Sequence, residues 1–243
     1  MAIQQLLASY GAAGGGGSSL SSTILGLTPW GYWRLDETGT LTTAADSSGN
    51  ARSGTYIGTG TTDVAGLFGG SVRAKTLNGS DAVTCPTYTA TAGSPFSALS
   101  VVRFDSTSSM AFLSGDGVGG GNRMFQLRAS GGRTQAALVN PASVVVESPL
   151  TYNDNNPHMA VLVYDQSLAA ADGRLKLYMN GSEVARSTAA ITNSETAAPL
   201  SIGQRGNTSA TSRLNGSIDE CAFFNYALSA AQVSALWAAR DTP

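Results

Sequence analysis

Short stretches in which apolar and polar residues alternate recur along the chain, roughly every 8–15 residues, with turn-forming residues between them. In the run GYWRLDE (31–37) successive side chains alternate between two faces. Further runs of this kind cover residues 71–77, 81–86, 98–104, 110–114, 123–129, 134–139, 143–148, 158–165, 174–179, 182–187, 199–203 and 217–225. The chain has 243 residues, a length that β-sandwich folds fill as one domain. The pattern predicts an all-β fold, a two-sheet antiparallel jelly-roll sandwich.

The boundaries of two elements are marked by specific residues. Asn180-Gly181 separates the runs 174–179 and 182–187, and Asn-Gly supplies the two positive-φ residues of a type I′ turn, so we predict a hairpin there. The segment LSAAQVSALWAARD (228–241) predicts one C-terminal helix, because Ser229 and Gln232 form a capping box. We expect Trp237 to pack this helix against the sheet.

The first 28 residues differ from the rest of the chain. Ile3, Leu6 and Leu7 form one apolar stripe at helical spacing, and a Gly/Ser-rich run over 11–28 predicts a flexible linker. An isolated helix this short is marginal in water. We therefore predict that residues 1–28 are an assembly arm that forms a homo-oligomer, with a trimer favoured, or joins a partner protein. A disordered tail is the alternative, and residues 29–243 are the predicted domain.

Charge and residue counts exclude several classes of function. The chain has 14 Lys and Arg against 16 Asp and Glu and no basic stripe, so we expect no nucleic acid and no membrane surface as partner. It has no apolar run near the ~20 residues of a membrane helix and no segment typical of a secretory signal. One His and two Cys exclude a His-rich metal centre and a disulfide framework. Whether Cys85 and Cys221 are bonded to each other stays open.

The loop PLTYNDNNP (149–157) combines an aromatic ring with amide and carboxylate groups. Lectin sites use such side chains on loops. Tyr152, Asn153, Asp154 and Asn155 are therefore the candidate residues for binding a sugar. The alternative is a solvated hairpin loop.

Several sequence pieces occur in the order typical of one family. They are YWRLDE, DSSGNARSGTYIG (46–58, taken as a loop), FGGSVRAKTLNGSDAVTCP (68–86), HMAVLVYD with RLKLYMNGSEVARS, and PLSIGQR followed by LNGSIDECAFFNYALSAAQVSALW. Together they resemble the concanavalin A-like lectin/glucanase family in its laminin G-like form, over about residues 29–240. The resemblance implies a two-sheet jelly roll.

The resemblance also implies one structural calcium ion. Calcium takes oxygen ligands. Asp46 and Asn50 belong to an oxygen-rich turn, and Asp219 belongs to the family's Asp-Glu strand. These three residues are the candidate metal ligands. The alternative is that Asp46 and Asn50 only make a side-chain-capped turn.

Hydrolases of this family carry a Glu-x-Asp-x-x-Glu pattern, and no glutamate of this chain begins one. The adjacent pairs Asp36-Glu37 and Asp219-Glu220 lie in strand patterns, where neighbouring side chains point to opposite faces, so we expect neither pair to converge on a glycosidic bond. His158 begins a strand and is interpreted as structural. We therefore predict that the protein is not an enzyme.

An apolar segment and a Gly/Ser arm before a lectin-like domain resemble the virion proteins of tailed bacteriophages. This implies a non-enzymatic structural protein of the virion, such as a head decoration, spike or tail-fibre component, assembled with other virion proteins and presenting a domain that binds host-surface glycans. The alternative is a bacterial cell-surface or secreted carbohydrate-binding module, which would be extracellular. A glycosidase or lyase is the third hypothesis.

Overall fold

A computed structural model describes residues 19–39, 41–116, 123–139, 143–206 and 212–242. Ile3, Leu6 and Leu7 of the predicted arm lie outside these residues. The strands are β1 (Gly31–Trp33), β2 (Thr43–Ala44), β3 (Gly54–Ile57), β4 (Thr62–Ala65), β5 (Arg73–Asn78), β6 (Ala82–Thr89), β7 (Phe96–Arg103), β8 (Met110–Asp116), β9 (Arg123–Ser130), β10 (Arg133–Leu138), β11 (Val144–Thr151), β12 (His158–Tyr164), β13 (Leu175–Met179), β14 (Ser182–Ser187), β15 (Ala197–Ile202) and β16 (Asn215–Phe224). The helices are α1 (Leu20–Gly26), a 3-10 turn (Ala170–Asp172) and α2 (Ala230–Ala238).

The strands form two antiparallel sheets of eight strands each. The first sheet has the order β14-β13-β12-β7-β16-β5-β4, and β1 also pairs with β16. The second sheet has the order β11-β10-β9-β8-β15-β6-β3-β2. The predicted all-β, two-sheet jelly-roll sandwich is therefore confirmed. Residues 46–58, which we took as a loop, contain strand β3.

The predicted Asn-Gly hairpin joins β13 to β14. Asn180 has φ +52° and Gly181 has φ +83°, which are the left-handed values that a type I′ turn requires. A Cβ atom at Gly181 would lie 2.6 Å from the Trp237 side chain. Glycine at this position therefore allows both the turn and the close packing of α2 against the hairpin.

An apolar core lies between the two sheets. The rings of Phe96, Phe125 and Phe223 pack against one another in this core with centroids 5.1–5.8 Å apart. Trp33 is fully buried in the same core, as a packing residue. Cys85 and Cys221 are both buried there as free thiols. Removing these side chains from water is the main stabilising contribution to such a sandwich.

A second apolar cluster covers the outer face of the first sheet. Leu20 and Ile24 of α1 pack there with Val233 and Leu236 of α2. Helix α1 corrects two expectations, because the structure has a second helix and because the segment 20–26, predicted as part of a linker, is packed on the sheet. Ser19 caps α1 by accepting a hydrogen bond from the Ser22 amide.

Strand β7 defines the two ends of the sandwich. At one end Ser97 pairs with Phe224, and the nearby Trp30 amide donates to the Phe223 carbonyl. We call this the Trp30 end. At the other end Val102 pairs with His158, and we call this the His158 end. Within the described ranges no helix is long and apolar enough to cross a membrane.

The first and last described residues lie side by side. A Cβ atom at Gly70 would be 2.8 Å from the Thr242 carbonyl oxygen and 3.2 Å from the Ser19 Cβ. The segment that precedes Ser19 therefore joins the domain beside its C-terminal end.

Candidate functional site

The Asp46 carboxylate organises the turn at residues 46–52. Its Oδ1 accepts hydrogen bonds from the amides of Tyr32 (3.1 Å) and Ser48 (2.9 Å), and its Oδ2 accepts one from the Arg52 amide (2.8 Å). Partial burial alone would raise the pKa of Asp46, but the bonds from Ser48, Arg52 and Tyr32 together hold it below its ordinary value. The carboxylate thus fixes the turn against β1.

A cavity of about 390 Å³ lies next to this turn, at the Trp30 end. We call it the Trp30 pocket, and its lining residues are Leu25, Thr28, Pro29, Trp30, Ser48, Asn50, Arg52 and Asn225. Trp30 is partly exposed, and Asn50 and Asn225 are exposed. The pocket therefore joins an aromatic ring to amide and guanidinium groups.

The residues of the Trp30 pocket are held in place from behind. The Trp30 ring packs edge-on against Tyr88 (centroids 5.5 Å apart) and Phe223 (5.9 Å). The Arg52 guanidinium lies 4.2 Å from the Trp30 ring centroid and donates to the Trp30 carbonyl. Asn50 donates to the carbonyls of Pro29 and Trp30.

Sequence reasoning named Asn50 as a candidate metal ligand and gave Trp30 no role at a site. Both sit in the Trp30 pocket, together with Arg52 and Asn225, which were missed. The lining comes from three chain segments far apart in sequence, around residues 25–30, 48–52 and 225. The sequence feature that could have indicated this pocket was Trp30, a tryptophan directly before strand β1.

The predicted sugar-binding loop lies at the His158 end. Tyr152 packs edge-on against the His158 ring with centroids 4.9 Å apart. The backbone amide of Asn155 donates to the Phe104 carbonyl, and Asn155 has φ +60°. Asn153 donates weakly to the Asp105 carbonyl at 3.4 Å. The structure thus brings the four predicted residues together in one loop, with Asp154 and Asn155 exposed.

His158 connects this loop to the Asn180-Gly181 hairpin. The Asn180 Nδ2 group lies 3.0 Å from His158 Nδ1, and His158 Nε2 lies 2.8 Å from Asp154 Oδ1. An amide N–H is a donor, so Nδ1 accepts from Asn180 and Nε2–H donates to Asp154. Hydrogen bonds from Asn156 and His158 hold the pKa of Asp154 well below its ordinary value. Both ring nitrogens are engaged, which fits the structural interpretation of His158.

Asp219 and Glu220 do not follow the expected strand alternation. The pairing of β16 with β7 shifts register between Asp219 and Ala222, and Glu220 has φ +49°. Asp219 Oδ2 accepts a hydrogen bond from the Leu67 amide, and Glu220 Oε2 accepts one from the Tyr32 hydroxyl. Leu67 and Tyr32 both belong to the outer cluster of the first sheet. The expectation that these carboxylates point to opposite faces is therefore wrong, because a β-bulge turns both outward.

The pair Asp219 and Glu220 is deeply buried. Asp219 is 0% exposed and Glu220 is 1% exposed. Burial, and for Glu220 the neighbouring Asp219 carboxylate as well, raises the pKa of both groups above their ordinary values. In this arrangement neither carboxylate contacts solvent where a sugar could reach it.

The three predicted calcium ligands have separate surroundings. Asp46 accepts from three amides of its own region, Asn50 donates to carbonyls, and Asp219 accepts from Leu67. Asp219 Oδ1 is buried and makes no hydrogen bond to any residue that the structure describes. Across the ranges that the structure describes, no three or more His, Cys, Asp or Glu side chains form a metal-binding group. Asp46 and Asn50 are thus engaged within the protein, and the shared calcium ion stays a prediction from the family resemblance.

A row of polar side chains crosses the outer face of the second sheet. Gln126 donates to Asp116 at 2.7 Å, Arg128 donates to Gln126 and Gln135 at 2.8 Å each, and Gln135 donates to Glu147 at 2.6 Å. The row links β8, β9, β10 and β11 across their strand pairs. Its members bond one another, so the row holds the strands in register.

These features can be set against known proteins. The model of the concanavalin A-like lectin/glucanases superfamily (Laminin_G_3) matches residues 77–234. The chain belongs to this family. A comparison with curated proteins finds no match. The fold is thus the lectin-like, carbohydrate-binding type that the sequence resemblance implied.

Solved structures share the fold at low identity. Domain 4 of AbnA, an extracellular arabinanase of Geobacillus stearothermophilus solved with arabinotriose, has TM-score 0.66 and 18% identity, covering 86% of this chain and 98% of that one. A Trypanosoma rangeli sialidase has TM-score 0.61 and 11% identity, covering 86% and 33%. The botulinum neurotoxin type G receptor-binding domain has TM-score 0.59 and 16% identity, covering 87% and 51%. The chain spans about a third of the sialidase and about half of the neurotoxin domain.

Proposed function

We propose that the protein is a non-catalytic glycan-binding module and that the Trp30 pocket receives a sugar residue. The observation that carries the proposal is the lining of this cavity of about 390 Å³, which joins Trp30 to Asn50, Arg52 and Asn225. Small-ligand sites are concave, of roughly 300–1,000 Å³, and combine an apolar surface with a few polar groups. The pocket has this size, and its lining is more polar than that of most such sites, which suits a ligand rich in hydroxyl groups.

The pocket is prepared for binding before a ligand arrives. Tyr88 and Phe223 fix the Trp30 ring, and the Asp46 turn fixes the backbone that carries Asn50 and Arg52. Groups that are already ordered lose little conformational entropy on binding. Asn225 is exposed and makes no hydrogen bond within the described part of the chain, so its amide is available for a sugar hydroxyl.

Absence of catalysis is part of the proposal. What supports it is the burial of Asp219 and Glu220 and the engagement of both His158 nitrogens. A retaining or inverting glycosidase needs two carboxyl groups that flank an accessible bond. Reducing-end assays on a polysaccharide panel are expected to stay flat, and turnover that Glu220→Gln abolishes would overturn this part.

Titration calorimetry on an oligosaccharide panel tests the binding site. Arabinotriose is the first probe, because the structurally similar arabinanase domain was solved with it. We expect Arg52→Met to weaken binding by about tenfold and Asn225→Ala by a smaller factor, since each removes polar contacts to the ligand. Arg73→Gln, a charge change at a partly exposed residue of β5, is the matched control. Unchanged binding by both pocket variants would overturn the assignment.

The loop with Tyr152, Asn153, Asp154 and Asn155 is the second proposed sugar site. Its support is an exposed, polar and well-anchored surface at the His158 end. Asn155→Gly removes the side-chain amide and keeps the backbone amide. Glycine also suits the positive φ of this position, so the variant tests the loop without straining the backbone. Loss of binding in this variant alone would move the site from the Trp30 pocket to the loop.

A finer proposal concerns where the module acts. We propose that it is a structural component of a tailed-phage virion, held as a trimer or on other virion proteins through the predicted arm. The support is the apolar stripe and Gly/Ser run that precede the domain. A bacterial cell-surface or secreted binding module is the alternative, and it would be found outside virions.

Deletion of the N-terminal segment tests the finer proposal. Residues 1–18 should be removed, and not 1–28, because Leu20 and Ile24 are 2% and 0% exposed in the domain. We expect the shortened chain to remain folded while oligomers, measured by light scattering, and incorporation into particles are lost. Unchanged size and full incorporation would place the assembly surface on the jelly roll.

A further inference from the structure

A second cavity, of about 470 Å³, lies on the outer face of the first sheet beside the start of α2. Lys176 and Tyr178 of β13 and Val163 of β12 line it. The segment 227–230 and the loop around Asp165 and Arg174 also contribute to its lining. We call it the Lys176 cleft. It shares no lining residue with the Trp30 pocket.

Three cations line the Lys176 cleft, and two of them are already engaged. Arg174 donates to the carbonyls of Leu168 (2.8 Å) and Ile191 (3.2 Å). Arg186 forms an ion pair with Glu183. Lys176, in contrast, is partly exposed and makes no hydrogen bond or ion pair within the described residues. Among the described residues that line the cleft, Lys176 therefore supplies the cation that is free to bind a ligand.

The cleft also contains acceptors and apolar surface. Asp165 accepts from the Ser167 hydroxyl at 2.6 Å, and Glu183 accepts from the Tyr178 hydroxyl at 3.3 Å. Each carboxylate keeps lone pairs for further donors, since a carboxylate accepts about four hydrogen bonds. The two carboxylates repel a doubly charged phosphate more strongly than a singly charged carboxylate, and they accept bonds from sugar hydroxyls. Val163 and Leu168 add apolar surface for carbon-bound hydrogens.

We infer that the Lys176 cleft binds a sugar that carries a carboxylate, such as a uronic acid residue of an acidic polysaccharide. The Lys176 ammonium pairs with the ligand carboxylate, and Asp165 and Glu183 accept hydrogen bonds from its hydroxyls. A charge-assisted bond of this kind is stronger than a neutral one. The site is independent of the sugar site proposed above, because its lining is separate.

Binding of matched acidic and neutral ligands tests this inference. The probes are trimers of galacturonate, glucuronate and mannuronate, each compared with its methyl ester, which keeps the sugar but removes the charge. We expect the full-length protein to bind at least one acid about tenfold or more tightly than its ester. Lys176→Met keeps the aliphatic stem and should abolish that preference with an unchanged melting temperature.

Two control variants and one competitor separate the possible outcomes. Arg73→Gln changes a charge on β5 of the same sheet, and Arg52→Met changes the Trp30 pocket, so both should keep the preference for the acid. Inorganic phosphate should compete poorly. The inference is overturned if no trimer is preferred over its ester, if Lys176→Met keeps the preference, or if phosphate competes as well as the free acid does. If only Arg52→Met lost the preference for the acid over its ester, acid binding would belong to the Trp30 pocket and the inference would be overturned.

Discussion

Two acidic regions lie on either side of Tyr32, and this residue donates to both. Its backbone amide donates to Asp46, and its hydroxyl donates to Glu220. The pKa of Asp46 lies below its ordinary value, whereas the pKa of Glu220 lies above. The hydrogen bond from Tyr32 therefore does not decide the direction in which the pKa of either carboxylate shifts.

The difference comes from the number of donors and from burial. Asp46 lies in a half-buried turn, where three backbone amides converge on its two oxygens. Glu220 is almost completely buried and has the Asp219 carboxylate beside it, with Tyr32 as its donor and the Arg34 guanidinium 3.9 Å away. Convergent amides stabilise the ionised form, while burial and a like charge destabilise it.

The two regions therefore respond to pH in opposite directions. Because the pKa of Asp46 is lowered by folding, it contributes stability above the ordinary pKa of an aspartate, and this is lost as the pH falls through the folded value. Because the pKa of Glu220 is raised by folding, its contribution is complete below the ordinary pKa of a glutamate. It is lost as the pH rises through the folded value.

The largest expected effect is that of Asp46→Ala. The substitution leaves the amides of Tyr32, Ser48 and Arg52 without their acceptor, so we expect a loss of about 2–4 kcal/mol in the free energy of unfolding at neutral pH. Urea denaturation measures this loss. Asp46→Asn keeps one acceptor oxygen and should lose less. A loss below about 1 kcal/mol would show that water replaces the carboxylate readily.

Glu220→Gln should act in the opposite direction. Glutamine keeps an acceptor for the Tyr32 hydroxyl and removes the charge, so above neutral pH we expect a gain of about 1–2 kcal/mol. The decline in stability of the wild type between about pH 5 and 9 should become shallower. Thermal unfolding across that range measures both effects. Glu147→Gln, at an ion pair with Arg133 on the second sheet, is the control and should leave the slope unchanged.

The contrast also shows what the sequence can predict. Alternation and Asn-Gly turns predicted most of the strands, because most of them bury at least one face. The turn at Asp46 was weighed as an alternative because an aspartate that bonds nearby amides is a local pattern. The bulge at Glu220 was not predictable, since it depends on how β16 pairs with β7, and pairing register is a property of the assembled sheet.

Other missed features have the same origin. Helix α1 follows a Gly/Ser run that suggests a linker, and only its burial against the first sheet makes Leu20 and Ile24 part of the core. Strand β2 has two residues, too few for a periodic pattern. The Trp30 pocket and the Lys176 cleft each combine distant segments, so no single stretch of sequence indicates either of them.

A smaller effect is expected for Asn50→Ala, in the same turn as Asp46. Asn50 donates to the Pro29 and Trp30 carbonyls from an exposed position, and neutral hydrogen bonds of this kind contribute about 0.5–1.5 kcal/mol. We expect a stability loss near the lower end of that range. Urea denaturation alongside Asp46→Ala gives the comparison. An equal loss in the two variants would mean that the charge of Asp46 adds nothing to the turn.

The smallest expected effect concerns calcium, which stays a prediction from the family resemblance. Asp46 is occupied by backbone amides, whereas Asp219 has a buried oxygen without a hydrogen-bond partner in the described part of the chain. Of these two residues, we therefore expect Asp219 to respond to a cation. We expect Asp46→Asn to leave any difference in melting temperature between calcium and EDTA unchanged, and Asp219→Asn to remove it, because a ligand of the folded state stabilises it by mass action. Scanning calorimetry on metal-stripped protein measures the difference. If both variants lost the calcium response, one ion would bridge the two regions and their separation would be wrong. If the wild type showed no response, the turn at Asp46 would need no metal and the calcium hypothesis would fall.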